Sequence, residues 1–120
     1  MNFKLILIVC CIDILFIGIE NKVINDEMFL GETHESGIID LGNGGDDIWY
    51  WLFDPRDKNN DAPLLLWLNG GPGCSDSDGI FYEMGPFNIT EGPEFNLVRN
   101  DHSWNNHLYL LFVDQPVSIF

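Results

Sequence analysis

Basic residues are scarce in this chain. Its 120 residues hold 5 Lys plus Arg against 19 Asp plus Glu, a formal net charge of −14 at pH 7. Phosphate binding works through Lys and Arg that release counterions, so nucleic acid is not an expected partner. A polybasic dock on anionic lipid is excluded for the same reason. Cysteine is scarce as well: of 3, Cys10 and Cys11 sit side by side near the N-terminus and Cys74 stands alone. No internal repeat, low-complexity run or Gly-x-Ser-x-Gly occurs, and the glycines fit neither Gly-x-x-x-x-Gly-Lys nor Gly-x-Gly-x-x-Gly. What is abundant is apolar surface. A hydrophobic content of 46% with 13% aromatics is too rich for disorder, and the length suits one small domain.

Met1-Asn2-Phe3-Lys4 carries a positive charge, and Leu5 to Ile19 is apolar except for Asp13. That run is short for a membrane span, which needs about 20 apolar residues, and Asp13 opposes one. It has the form of a secretory signal, so residues 1–20 are expected to be removed, with no membrane attachment afterwards. In a secreted chain Cys74 becomes the one remaining thiol, which points to an intermolecular bridge, a free thiol or a partner cysteine elsewhere. Asn88-Ile89-Thr90 is then a glycosylation sequon on Asn88.

Residues 20–36 are acidic with little periodicity and read as an exposed leader, placed at 21–36. Gly37-Ile38-Ile39-Asp40-Leu41, a turn at Gly42-Asn43-Gly44-Gly45, and Ile48-Trp49-Tyr50-Trp51-Leu52-Phe53 predict a β-hairpin whose second strand is largely buried. Pro63-Leu64-Leu65-Leu66-Trp67-Leu68 is continuously apolar, the pattern of a central strand covered on both faces. Ser75 to Met84 predicts a short helix capped by Ser75 and stopped at Gly85-Pro86. Residues 107–113 predict another buried strand. This order points to an α/β fold with an open sheet of mixed strand direction.

The strand at 63–68 runs straight into Asn69-Gly70-Gly71-Pro72-Gly73. Such a loop presents backbone N–H groups at the carboxyl edge of a sheet, where open α/β sheets bind ligands. Three uses fit: a phosphate cradle, an oxyanion hole, and a tight packing turn. The spacing and the lack of a nearby lysine count against the first.

Further residues accompany the loop. Trp67-Leu68-Asn69-Gly70-Gly71-Pro72-Gly73-Cys74-Ser75 resembles the signature of the serine carboxypeptidases, and Phe81-Tyr82-Glu83-Met84-Gly85-Pro86-Phe87 is similar to that family's Phe-x-Glu-x-Gly-Pro-Phe. Ser103-Trp104-Asn105 and Asp114-Gln115-Pro116-Val117 resemble two further family segments, in the same order. The resemblance spans residues 37–117 and implies an α/β-hydrolase fold, present in its front part: hairpin, central strand, oxyanion loop, short helix, next strand. It implies a serine-type carboxypeptidase that releases C-terminal residues from peptide or protein substrates through an acyl-enzyme, with no cofactor and no metal.

Carried over by residue, Gly71 would give its N–H to the oxyanion. Asn69 with the Gly70 N–H would hold the substrate's C-terminal carboxylate, backed by Trp67 and Glu83. A carboxyl facing a carboxylate must be protonated to donate, so that pair works best in acid. Cys74 would bridge to a distant downstream cysteine, a partner absent from these 120 residues. The implied setting is the secretory pathway, lysosome or vacuole, or the extracellular space.

The family's Ser-Asp-His triad is expected after residue 120, so the chain by itself is expected to be an inactive front portion, 37–120, of a hydrolase domain. Ser75, His102, His107 and Asp114 do not make a convincing substitute triad. Asp76-Ser77-Asp78-Gly79 lacks the flanking ligands of a calcium loop, and Asp46-Asp47 reads as a solvated turn. The rival readings are a related acyltransferase, which passes the acyl group to an alcohol, and a non-catalytic secreted protein.

Overall fold

A computed structural model describes residues 5–6, 23–25, 27–42, 47–71, 74–90, 92 and 94–115. The expected signal segment apart from 5–6, the turn at 43–45, Asp46, Pro72-Gly73 and residues 116–120 lie outside the described residues. The strands are β1 (Leu5–Ile6), β2 (Val23–Asn25), β3 (Thr33–Asp40), β4 (Asp47–Phe53) and β5 (Leu64–Trp67). Helix α1 (Ser77–Tyr82), β6 (Phe87–Thr90), β7 (Asn96–Arg99) and β8 (Tyr109–Val113) follow. The main sheet has the order β1-β5-β8-β4-β3-β2, and β6-β7 form a separate two-stranded sheet.

Strand direction is mixed, as the sequence order predicts. The β3–β4 hairpin is antiparallel, with Gly37 opposite Tyr50 and Ser36 opposite Trp51. β4 pairs antiparallel with β8, and β5 pairs parallel with β8. The sheet's middle is therefore β8, the last of these strands in sequence, and β5 lies one place nearer the edge. Beyond β5, the backbone of Leu5–Ile6 adds a two-residue parallel strand.

The core lies on one face. Trp51, Phe53, Leu110 and Phe112 project from alternate positions of β4 and β8 and meet Ile80 and Met84 of the helical segment and Phe87 of β6. Phe53 contacts Phe87 and Phe112 edge-on, with ring centroids 5.7 and 6.1 Å apart. Phe53, Phe87 and Phe112 are fully buried, which contributes roughly 1.5–3 kcal/mol each. All four residues of β5 are only half-buried, in contrast to the expected strand covered on both faces. Among the described residues the helical layer covers one face.

Two further expectations are corrected. Residues 27–36 are not an exposed leader: Glu32 and His34 are buried, and Phe29 packs edge-on to Trp51 at 5.0 Å. Their burial depends on distant partners. The Trp51 indole donates to His34 Nδ1 at 3.0 Å, and Glu32 pairs with Arg56. The helix is also shorter than Ser75 to Met84. Ser75 lies one residue before the N-cap, where its hydroxyl accepts from Ser77 N at 3.2 Å and also reaches Asp114, and Gly85 N folds back to donate to Gly79 O at 2.9 Å, which ends the helix. The β6–β7 hairpin has no counterpart in the sequence reading.

Arg56 joins these pieces. Its Nε donates to Glu32 Oε1 at 2.7 Å, and its other nitrogens donate to the carbonyls of Asn100 and Pro86 and to Asn106 Oδ1. Asn105 is fully buried beside it and donates to Glu32 Oε2 at 3.0 Å and to Asp54 O at 3.2 Å. Ser103 Oγ, with one proton to donate, lies 2.6 Å from Asn105 Oδ1 and 3.0 Å from Met84 O. Ser103-Trp104-Asn105 is thus a structural lock that satisfies buried carbonyls.

Candidate active site

Parallel β5 and β8 end at the same edge of the sheet, where β5 delivers Asn69-Gly70-Gly71 and β8 delivers Asp114-Gln115. The loop is held by its own polar groups. Asn69 Nδ2 donates to Ser75 O at 3.0 Å, and Gly70 N donates to Asn69 Oδ1 at 2.8 Å. Cys74 N donates to Gly70 O at 3.3 Å, and Gln115 Nε2 donates to Asn69 O at 3.3 Å. Gly71 has φ +129°, a backbone that L side chains rarely adopt. Gly71 N makes no hydrogen bond among the described residues, which leaves it available as a donor at the loop's exposed crest.

Beneath the loop sits Asp76, 1% exposed. Its carboxylate accepts from Asn69 N and from Val113 N, the latter at 2.7 Å. Asp114 Oδ1 in turn accepts from Asp76 N at 2.6 Å and from Ser75 Oγ at 3.2 Å. Burial pushes the Asp76 carboxyl up to about 6, and the charges of Asp114 and Glu83 push the same way. The two backbone N–H groups oppose the rise without cancelling it. A carboxyl raised above its unfolded value favours folding at low pH, and this contribution is lost as pH rises through about 6. Asp76 alone is expected to lower stability by at most about 3 kcal/mol between pH 4 and pH 7. Burial raises Asp54 too, in the same direction. Urea midpoints at the two pH values check this, and a midpoint that rises with pH contradicts it.

Of the residues expected at the site, Asn69, Gly70 and Gly71 share one loop, and among the described residues no hydrogen bond joins Trp67 or Glu83 to it. Glu83 is exposed just beyond α1. The Trp67 indole Nε1 is buried with no hydrogen-bond partner among the described residues, and its ring packs edge-on to Trp104 at 6.2 Å. An unsatisfied buried donor costs about 1–3 kcal/mol. Trp67→Phe is therefore expected to leave stability unchanged or raise it by about 1 kcal/mol, read from urea unfolding. A loss above about 1 kcal/mol would mean that the indole N–H has an acceptor.

Ser75 meets Asp114, but the histidines lie elsewhere: His107 Nδ1 is 3.0 Å from Asp57 Oδ2, at the opposite end of β8. Cys74 is exposed and has no bridge among the described residues, and Asn88 is exposed on β6. Among the described residues no three His, Cys, Asp or Glu side chains converge as a metal site, and no helix is long and apolar enough to cross a membrane. A cleft of about 360 Å³ is lined in part by Glu32, Asp54, Arg56, Lys58, Arg99 and Tyr109. It lies at the other end of the strands from the glycine loop. Sequence reasoning missed Asp76, and the signal available was an aspartate beside Ser75 with no basic residue near it.

The serine carboxypeptidase family profile matches residues 25–119. A carboxypeptidase Y homolog of Arthroderma benhamiae is 41% identical over 87 residues, covering 72% of this chain and 18% of that protein. Carboxypeptidase Y of Saccharomyces cerevisiae is 39% identical over 87 residues, covering 72% and 16%. The crystal structure of Kex1(delta)P, a prohormone-processing carboxypeptidase from Saccharomyces cerevisiae, superposes with a TM-score of 0.62 at 32% identity, covering 81% of this chain and 24% of that one. The chain thus spans less than a fifth of the curated relatives named here, and it shares with the solved structure a mixed sheet with few helices. With the glycine loop, the Gly-Pro-Phe turn and the Ser-Trp-Asn lock all inside the matched span, the chain belongs to the serine carboxypeptidase family.

Proposed function

We propose that this chain is the oxyanion and carboxylate-recognition portion of a serine-type carboxypeptidase with an α/β-hydrolase fold. The observation that carries the reading is the Asn69-Gly70-Gly71 loop at the carboxyl end of β5, with Gly71 N free to donate among the described residues. Gly71 N–H takes the oxyanion of the tetrahedral intermediate, where a preorganised donor is worth several kcal/mol. The Asn69 side-chain amide and Gly70 N–H take the C-terminal carboxylate of the peptide. Gly70 N and Asn69 Oδ1 are bonded to each other here, so substrate replaces that bond. Trp67 Nε1 is a buried donor that lacks an acceptor among the described residues, and an approaching carboxyl group, from substrate or from Glu83, supplies one.

In the reaction a serine oxygen, on a triad supplied outside these residues, attacks the last peptide carbonyl. The C–N bond breaks, the free amino acid leaves with the serine's proton, and water then releases the acyl group. The accompanying proposals are a signal at 1–20, a secretory, lysosomal or vacuolar setting, glycosylation at exposed Asn88, and a bridge from exposed Cys74 to another cysteine.

The test captures the native product with an antibody to residues 43–60 and offers it an N-blocked dipeptide. Release of the terminal amino acid, lost with the amidated peptide and abolished by a serine-directed phosphonate, is the expected result. Acyl transfer to an added alcohol without hydrolysis, or no turnover, overturns the peptidase reading.

A further inference from the structure

Asp76 occupies the N-cap position of α1, yet its side chain makes no capping bond. Ser75 Oγ accepts from Ser77 N at 3.2 Å instead. The carboxylate turns to two backbone donors from neighbouring parallel strands: Asn69 N, just beyond the end of β5, and Val113 N, at the end of β8. No cation pairs with it among the described residues, and the titratable groups that face it are Asp114 after β8 and Glu83 after α1. A buried carboxylate with Asp114 against it is costly unless its hydrogen bonds repay the cost. A helix start alone does not require it, since Ser75 already serves that turn.

We infer that Asp76 is a positioning residue for the glycine loop: by holding Asn69 N and Val113 N on one carboxylate, it sets the direction in which Asn69 and Gly70 face a substrate carboxylate. The inference rests on the carboxylate-binding role proposed for that loop. The ends of two parallel strands have no backbone partner beyond the last ladder bond, so their relative placement is open. A two-oxygen acceptor closes it. Asp114 completes the arrangement from the other side, because Asp76 N donates to it at 2.6 Å. Protonation turns one acceptor oxygen into a hydroxyl and weakens one of the two tethers. Burial moves that protonation into the mildly acidic range.

The test is an NMR titration of the whole isotope-labelled chain from about pH 4 to about pH 8. The Asp76 carboxyl carbon and the Asn69 and Val113 amides are expected to share one midpoint, near 6. Asp76→Asn abolishes the response at both amides while the amides of β3 stay in place. Asp114→Asn keeps the response and lowers its midpoint. Separate midpoints, or amide responses that persist in Asp76→Asn, overturn the tether. If Asp76→Asn does not fold, the shared midpoint in the parent chain decides.

A second arm adds N-acetyl-dialanine, with its amide as control. Weakening of the acid's binding by roughly tenfold or more in Asp76→Asn supports the positioning role. Unchanged binding overturns it. Failure of the parent chain to bind the acid overturns the carboxylate reading of the loop while the shared titration still stands, so the two failures are distinguishable.

Discussion

Glu32→Ala is expected to destabilise the protein by about 3–5 kcal/mol. The Glu32 side chain is 3% exposed and lies 2.6 Å from an Arg56 nitrogen, itself 10% exposed. Removing the carboxylate leaves a guanidinium buried and uncompensated, and it also takes the acceptor from the Asn105 amide. Arg99 cannot compensate the stranded Arg56, because it too is positive and itself bridges Glu32 at 3.5 Å. The measurement is urea unfolding of Glu32→Ala beside Glu32→Ala/Arg56→Met. The double variant is expected to recover a large part of the loss, since the lost stability is mostly the cost of a stranded charge. A single-variant loss below about 1 kcal/mol would show that Arg56 regains water.

The second large effect is at Gly85. A Cβ there would lie 2.3 Å from the Ile80 carbonyl oxygen and 2.4 Å from its Cα. Both are backbone atoms of a fully buried residue, so no side-chain rotation relieves the clash. Gly85→Ala is expected to cost about 3 kcal/mol or more and to lower the thermal midpoint accordingly. The damage spreads, because Gly85 O accepts from Asn100 Nδ2 at 2.9 Å and the next residue's carbonyl accepts from Arg56. Gly92→Ala is the control, since its Cβ meets its nearest neighbour only at 3.4 Å. Equal losses at the two glycines would mean that the close approach to Ile80 does not set the cost, since unfolded-chain entropy favours Ala at both.

The parts legible in the sequence are those whose cause is local. The β3–β4 hairpin follows from a β-branched and aromatic run beside a glycine-rich turn, and β5 and β8 follow from short apolar runs. The loop residues Asn69, Gly70 and Gly71 were visible because glycines after a buried strand are unusual. What was not legible depends on partners far along the chain. Glu32 and His34 look like solvated residues until Arg56 and Trp51 are placed beside them. Asn88-Ile89-Thr90 and Asn96-Leu97-Val98 carry too little apolar pattern to announce β6 and β7, which are mostly exposed. Asp76 reads as one more charge in an acidic chain, and only the convergence of β5 and β8 above it gives it a role. The scarcity of basic residues was a clue not used: with 5 Lys plus Arg in all, Arg56 was a candidate for a structural pair.

The position of β8 bears on how the chain acquires its shape during synthesis. β4 and β5 both emerge well before β8, yet neither touches the other, because β8 lies between them. From Phe53 to Tyr109 the ribosome adds 56 residues, roughly 3–11 s at ordinary elongation rates. Throughout that interval the nascent chain carries a finished hairpin with one aromatic flank unpaired, joined from Trp67 onward by a leucine-rich strand whose β8 side has nothing to zip against. Such edges recruit other chains, which makes the interval the one in which a chaperone has most to cover.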